Sequence, residues 1–279
     1  MRFLIVVFFV SIYNFSLAQI NLNAGLIAYY PFNGNSNDAS GNGYHGILRN
    51  GVQLTTDRFG NPNQAYFFDG QDDYIEINDN GGLSPREVSV VALINTEISN
   101  AQTIVGKIEY STGFAATYHL GINYDVQAGF FFGTTPFSAT CFQQYPYDPN
   151  NPFARSTANF TTNQWHCLVG TFKDSVLRIY VDGVLADQKL TNYKDLIQCD
   201  NTQLLIGSWW AGDNVKFRGK IDEVRIYNRA LNAAEVGALC NIQSNLCTGT
   251  LGDPVVNIDF GAGANPGLPL LLFQEHLPL

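Results

Sequence analysis

Between residues 26 and 227 the chain is cut into short apolar runs, each bounded by Gly, Asn, Asp or Pro. They are "LIAYYPF" (26–32), "AYFF" (65–68), "YIEI" (74–77), "VSVVALI" (88–94), "TIVGKI" (103–108), "FAATYHLGI" (114–122), "VQAGFFFG" (126–133), "WHCLVGTF" (165–172), "VLRIYVDG" (176–183), "QLLIGS" (203–208) and "VKFRGKIDEVRIY" (215–227). Several alternate with period two: Leu177, Ile179 and Val181 face one way, Arg178 and Tyr180 the other. Such a rhythm belongs to strands half-buried in a sheet, and long helical patterns are absent. Only Asn232 to Cys240, "NAAEVGALC", reads as a helix, with Ala233, Val236 and Leu239 on one face. The fold expected is all-β, an antiparallel two-sheet jelly-roll sandwich with one short C-terminal helix.

The ends depart from this rhythm. Arg2, the apolar run Phe3 to Tyr13 and the small residues Ser16 and Ala18 form a secretory signal over 1–18, so the protein is expected to be secreted or held at the cell surface. No later apolar run approaches the ~20 residues that span a bilayer. Residues 134–163 are long, aromatic and without periodicity, which suggests an ordered functional insertion. Beyond Cys247 a single strand pattern, "VVNIDF", is followed by Gly/Pro punctuation, so 250–279 reads as the incomplete start of a further module. The net charge of −9, with no Lys/Arg cluster, argues against nucleic-acid partners.

Five cysteines lie outside the signal. In an exported protein some should pair. Cys240 and Cys247 flank a short polar loop and are the first expected pair; Cys141 and Cys199, both in loops, are the second. Cys167, inside "WHCLVGTF", is expected to be a buried free thiol.

Four segments, "GLIAYYPFNGNSNDASGNGYHG" (25–46), "FFDGQDDYIEI" (67–77), "WHCLVGTF" with "LRIYVDG" (165–183) and "RGKIDEVRIYNRALNAAEV" (218–236), occur in an order that resembles the laminin-G-like jelly rolls of the concanavalin A-like lectin/glucanase superfamily. The resemblance covers 24–241. It implies two curved antiparallel sheets with first and last strands adjacent, on a scaffold that serves carbohydrate binding, calcium binding, adhesion or glycoside cleavage. It also implies a structural calcium that clips the N-terminal segment to the last strand through Asp38, a carbonyl near Gly43, and Asp222. The alternative is that Asp38 caps a turn and Asp222 sits solvated beside a bulge.

Other candidates are weighed on their own residues. "FFDGQDDYIEIND" (67–79) carries Asp69, Asp72, Asp73, Glu76 and Asp79, which short-turn chemistry between two hairpin strands explains better than a metal or catalytic role. "GNGYHG" (41–46) matches G-x-G-x-x-G but lacks the preceding buried strand and following helix of a dinucleotide site. No acid triplet stands at glucanase spacing, Asp222 and Glu223 are neighbours on opposite strand faces, and His45, His119, His166 and His276 are scattered, so catalysis is not expected. What remains is aromatic: Trp209 and Trp210 in "GSWWAGDN", joined by Tyr145 and Tyr147 (with Phe142 and Phe153) from the insertion. Flat amphipathic rings of this kind take the C–H faces of sugars; the competing role is a satellite core beneath the insertion. The expected function is a non-catalytic module binding polysaccharide or glycoprotein, with a structural or protein-adhesive module as first rival and an enzyme of the superfamily as second.

Overall fold

The computed structural model describes residues 20–109, 115–123, 127–132, 153–155, 159–191, 194–196, 202–209 and 214–241. In chain order its strands are β1 (Leu26–Tyr30), β2 (Gly46–Arg49), β3 (Gln53–Thr55), β4 (Ala65–Asp69), β5 (Tyr74–Ile77), β6 (Val88–Thr96), β7 (Gln102–Glu109) and β8 (Ala115–Asn123). They continue as β9 (Gln127–Phe132), β10 (Phe153–Arg155), β11 (His166–Lys173), β12 (Val176–Val181), β13 (Val184–Leu190), β14 (Leu204–Ile206) and β15 (Arg218–Tyr227), followed by helix α1 (Ala233–Cys240). The expected leader 1–18 and tail 250–279 lie outside the described residues, as does most of 134–163, from which β10 nevertheless contributes a strand.

The strands form two antiparallel sheets. The first has the order β13-β12-β11-β6-β15-β4-β3, with β1 also paired to β15; the second runs β10-β9-β8-β7-β14-β5-β2. First and last strands are adjacent, Tyr29 opposite Arg225 and Tyr30 opposite Val224. β15 has to serve two partners along one edge, β4 at 218–221 and β1 at 224–227. The changeover falls at a bulge between Asp222 and Arg225, where Glu223 adopts a positive φ of 51°. An extra residue is what lets a strand re-aim without losing both ladders.

Alternation builds the core between the sheets. Val88, Val90, Ala92 and Ile94 of β6 meet Tyr118, Leu120 and Ile122 of β8 and Ile75 and Ile77 of β5, all buried. Gly170 on β11 is required there, since a Cβ would stand 2.2 Å from the Phe130 ring of the opposite sheet. The odd residues of β6 are buried as well, Asn95 excepted. Val91 and Leu93 join Cys167, Val169, Tyr180 and Tyr227 in a second cluster on the outer face of the first sheet, covered by Leu231, Val236 and Leu239. α1 is the lid on that cluster, and its start is fixed by a capping box in which Asn232 and Glu235 satisfy each other's backbone N–H groups. Arg229 adds an ion pair to Glu235 at 2.8 Å.

Candidate functional site

Asp38 sits where the chain doubles back along β1. Its Oδ1 accepts from the N–H groups of Tyr29 (3.0 Å) and Ser40 (2.8 Å), and its Oδ2 from the Ser40 hydroxyl (2.9 Å) and the Tyr44 N–H (3.1 Å). A carboxylate has about four acceptor sites, and all four are used. Gly43, at φ +82°, allows the turn that delivers the Tyr44 N–H. As folded, Asp38 offers no open lone pair to calcium and so does not fit the expected ion: the carboxylate itself is the clip. Asp222 does not sit solvated. It is buried beside the bulge, where its Oδ1 accepts the Glu223 N–H (2.7 Å), and burial, with Glu223 close by, pushes its pKa up to about 8. Glu223 turns instead toward Tyr29, whose hydroxyl it accepts at 3.0 Å, and toward Arg225 at 2.6 Å.

The acidic stretch at 67–79 is a turn, but not a hairpin. β4 belongs to the first sheet and β5 to the second, so Asp69–Asp73 arches across the sandwich. Period-two patterning specifies which face of each strand is buried, not which sheet it joins. Asp73 accepts the N–H groups of Gly51 (2.6 Å) and Asp69 (3.0 Å), and Asp69 accepts that of Gln71 (2.7 Å). The Asp69, Asp72 and Asp73 carboxylates come within 4.8 Å of one another, and two of the three, Asp69 and Asp73, are engaged by these backbone N–H groups. Glu76 points outward, as the alternation requires, and bonds Arg49 (2.7 Å) and Gln203. Asp79 forms a buried ion pair with Lys107 at 2.6 Å. Residues 41–46 lead into β2, not a helix.

The expected aromatic site is partly described. Trp209 is half-buried and lies against His119, ring centroids 5.3 Å apart. His119 is on β8 between the core residues Tyr118 and Leu120, so it and Trp209 lie on the outer face of the second sheet. His119 bonds Thr103 Oγ1 at 2.9 Å, and burial pushes its pKa down to about 3, leaving the ring neutral. Trp210, Tyr145 and Tyr147 lie outside the described residues. His45 accepts the Asp38 N–H through Nδ1 (3.2 Å), a structural role, and His276 is outside the described residues.

The cysteine expectation is overturned. Cys240 pairs with Cys167, not Cys247, and Cys167 is therefore no free thiol. Sequence proximity favours Cys247, but α1 packs back over the first sheet and brings its last residue above β11, with the two Cα atoms 5.4 Å apart, well inside bridging range. Cys141, Cys199 and Cys247 lie outside the described residues.

Beside this disulfide the structure opens a pocket of about 230 Å³ whose lining includes Arg58, Phe59, Leu93, Trp165, His166, Asp182 and Asn241. Nothing in the linear pattern joins the 56–64 loop to the start of β11. The one signal was Trp165 next to the His-Cys pair, which reads more simply as a core tryptophan.

A laminin-G family model of the concanavalin A-like lectin/glucanases superfamily matches residues 69–237. No curated protein matches the chain. Among solved structures the chain is similar to domain 4 of AbnA, a GH43 extracellular arabinanase from Geobacillus stearothermophilus solved with arabinotriose. That likeness has 23% identity and a TM-score of 0.58, covering 78% of this chain and 98% of that one. It is also similar to the binding domain of Paraclostridial Mosquitocidal Protein 1 (16%, TM-score 0.57, 79% and 53%). A third likeness is the botulinum neurotoxin serotype D ligand binding domain in complex with N-acetylneuraminic acid (19%, TM-score 0.53, 78% and 51%). The chain spans about half of the two toxin domains, and at these identities the likeness is one of fold. With the family match covering more than half of its length, and two antiparallel sheets closed by adjacent first and last strands, the chain belongs to the concanavalin A-like lectin/glucanases superfamily.

Proposed function

We propose that this protein is an exported, non-catalytic module that binds polysaccharide or glycoprotein through the aromatic site at Trp209, which Trp210 follows in the sequence. The observation that carries the reading is Trp209, half-buried against a neutral His119 on the outer face of a sheet. An indole held against His119 presents a flat apolar surface without the cost of ordering a mobile side chain, which suits stacking on a sugar ring. The acids along the second sheet support binding over hydrolysis, since Glu76 and Asp79 are each tied into ion pairs. The arabinotriose and sialic-acid complexes of fold relatives fit a carbohydrate ligand.

Native affinity electrophoresis of the protein through gels containing different polysaccharides tests this, with calcium and with EDTA, for wild type and for Trp209→Ala and Trp210→Ala. Retardation by one polymer, lost in the variants while the fold persists, is the expected result. A calcium ion would have to displace the four donors on Asp38, so EDTA is expected to leave retardation unchanged. No retardation by any polymer would favour the rival protein-adhesive module. That rival has its own observation: edge strand β13 leaves Val184 69% and Leu190 83% exposed. Reducing-sugar release from the same panel would instead point to an enzyme.

A further inference from the structure

The pocket beside the Cys167–Cys240 disulfide has a composition that specifies a ligand class. It lies on the outer face of the first sheet, since its floor includes Leu93 and Cys167 of the cluster beneath α1. The Trp209 patch belongs to the outer face of the second sheet. One side of the pocket carries the Phe59 ring, 39% exposed with Arg58 stacked over it at 4.7 Å, and another carries Trp165, packed in part against the outer cluster. The lining also carries polar groups. Asp182, its side chain 52% exposed, is held by the Cys167 N–H (2.9 Å) and by His166 Nδ1 (2.8 Å). Asn241, the residue that ends α1, adds an amide.

This set excludes more than it admits. A lipid or other wholly apolar ligand would have to desolvate Arg58, His166, Asp182 and Asn241 together, which is costly without partners. The lining carries both signs of charge, Arg58 and Asp182, so no net charge selects an ionic ligand. Two aromatic side chains with acceptors and donors in the same lining match a neutral ring that is apolar on its C–H faces and hydroxylated at its edge. At about 230 Å³ the pocket is smaller than the ~300–1,000 Å³ of drug-sized sites, so it takes one ring rather than a chain segment.

We infer that this pocket is a second carbohydrate site, specific for a single neutral sugar residue such as the end of a glycan chain. It deepens the proposed binding function and rests on that reading only for its biological use, because its occupancy is measured separately. With one site on each outer face, a single copy would bridge two glycan chains.

The test is NMR of the full protein, following the indole N–H signals, with the Trp165 signal identified by its loss in Trp165→Phe. The probes are free glucose, galactose, mannose, arabinose and N-acetylglucosamine. We expect one of them to shift the Trp165 signal saturably, with a dissociation constant of about 1 mM, the scale that modest per-atom affinity gives a ligand of one ring. The shift should persist in Trp209→Ala. Phe59→Ala, on an exposed loop and harmless to the core, should weaken it roughly fivefold, the usual effect of losing one aromatic face. A Trp165 signal unmoved by every sugar would overturn the inference even if the gels show retardation. An unchanged affinity in Phe59→Ala would overturn it equally. Conversely, a Trp165 shift without any gel retardation would sink the Trp209 reading and leave this one standing.

Discussion

Replacing Cys240 by Ala opens a covalent loop that separates its ends by 73 residues. Closing a loop of that size removes about 15 cal/mol/K from the unfolded chain, or about 4 kcal/mol at room temperature, by the chain-entropy relation. For a domain of this size, each kcal/mol moves the melting temperature by about 2–4 °C, so Cys240→Ala should melt roughly 10 °C or more below wild type. Differential scanning calorimetry of the oxidised proteins reads it directly, and a reductant should bring wild type down to the variant. Cys247→Ala is the control and should melt with wild type. Tryptic mapping without reduction adds a covalent readout, because Cys167 lies in peptide 156–173 and Cys240 in the peptide beginning at Ala230. The two should be joined in wild type and in Cys247→Ala, and separate in Cys240→Ala. If peptide 156–173 runs free in wild type, or if Cys247→Ala is the variant that melts early, the packing of α1 argued above is wrong.

Other consequences are measurable with the same protein. Gly170→Ala drives a methyl into the Phe130 ring and should cost about 1–3 kcal/mol in urea denaturation. Asp38→Ala strands the N–H groups of Tyr29, Ser40 and Tyr44; a loss of about 2–4 kcal/mol is expected, with and without EDTA, if the carboxylate is the clip. Asp222 holds its proton up to about pH 8 in the folded state but loses it near the ordinary 3.8 when unfolded, so the folded state binds more protons between those values and stability falls as pH rises through that window. In Asp222→Asn that part of the slope should vanish, and the variant should out-melt wild type above pH 8 in EDTA. A wild-type slope preserved in the variant would contradict the burial assigned to this group.

Much of the fold was legible because it rests on local patterning. Leu177 and Ile179 against Arg178 declared a half-buried strand, and Asn232 with Glu235 marked the start of the single expected helix. The strands the pattern missed, β3, β10 and β13, are short or lie at sheet edges, where alternation fades, whereas "GILRN" had already read as the strand that became β2. The crossing at Asp69–Asp73 and the partner of Cys240 were not legible for a different reason. Each depends on which distant element packs alongside, and neither period nor loop length carries that information. The same holds for the site: Trp209 stands out in sequence because two tryptophans adjoin, whereas Phe59, Trp165 and Asn241 become a pocket only after α1 folds over the sheet.

The bridge between α1 and β11 also sets where tension runs through the molecule. If the module is pulled by its two ends, force entering behind Cys240 does not travel back along β15. It crosses the sulfur–sulfur bond to Cys167, enters the sheet at the start of β11, and continues toward the N-terminus through the 159–166 segment. The backbone of residues 168–239 is bypassed by this covalent path while the bridge holds. That span contains β12 to β15, including the strand that pairs with β1, so a pull that would otherwise unzip the Leu26–Tyr227 end of that pair loads β1 from one side only. Reduction of one bond would lengthen the loaded path by the whole hidden span.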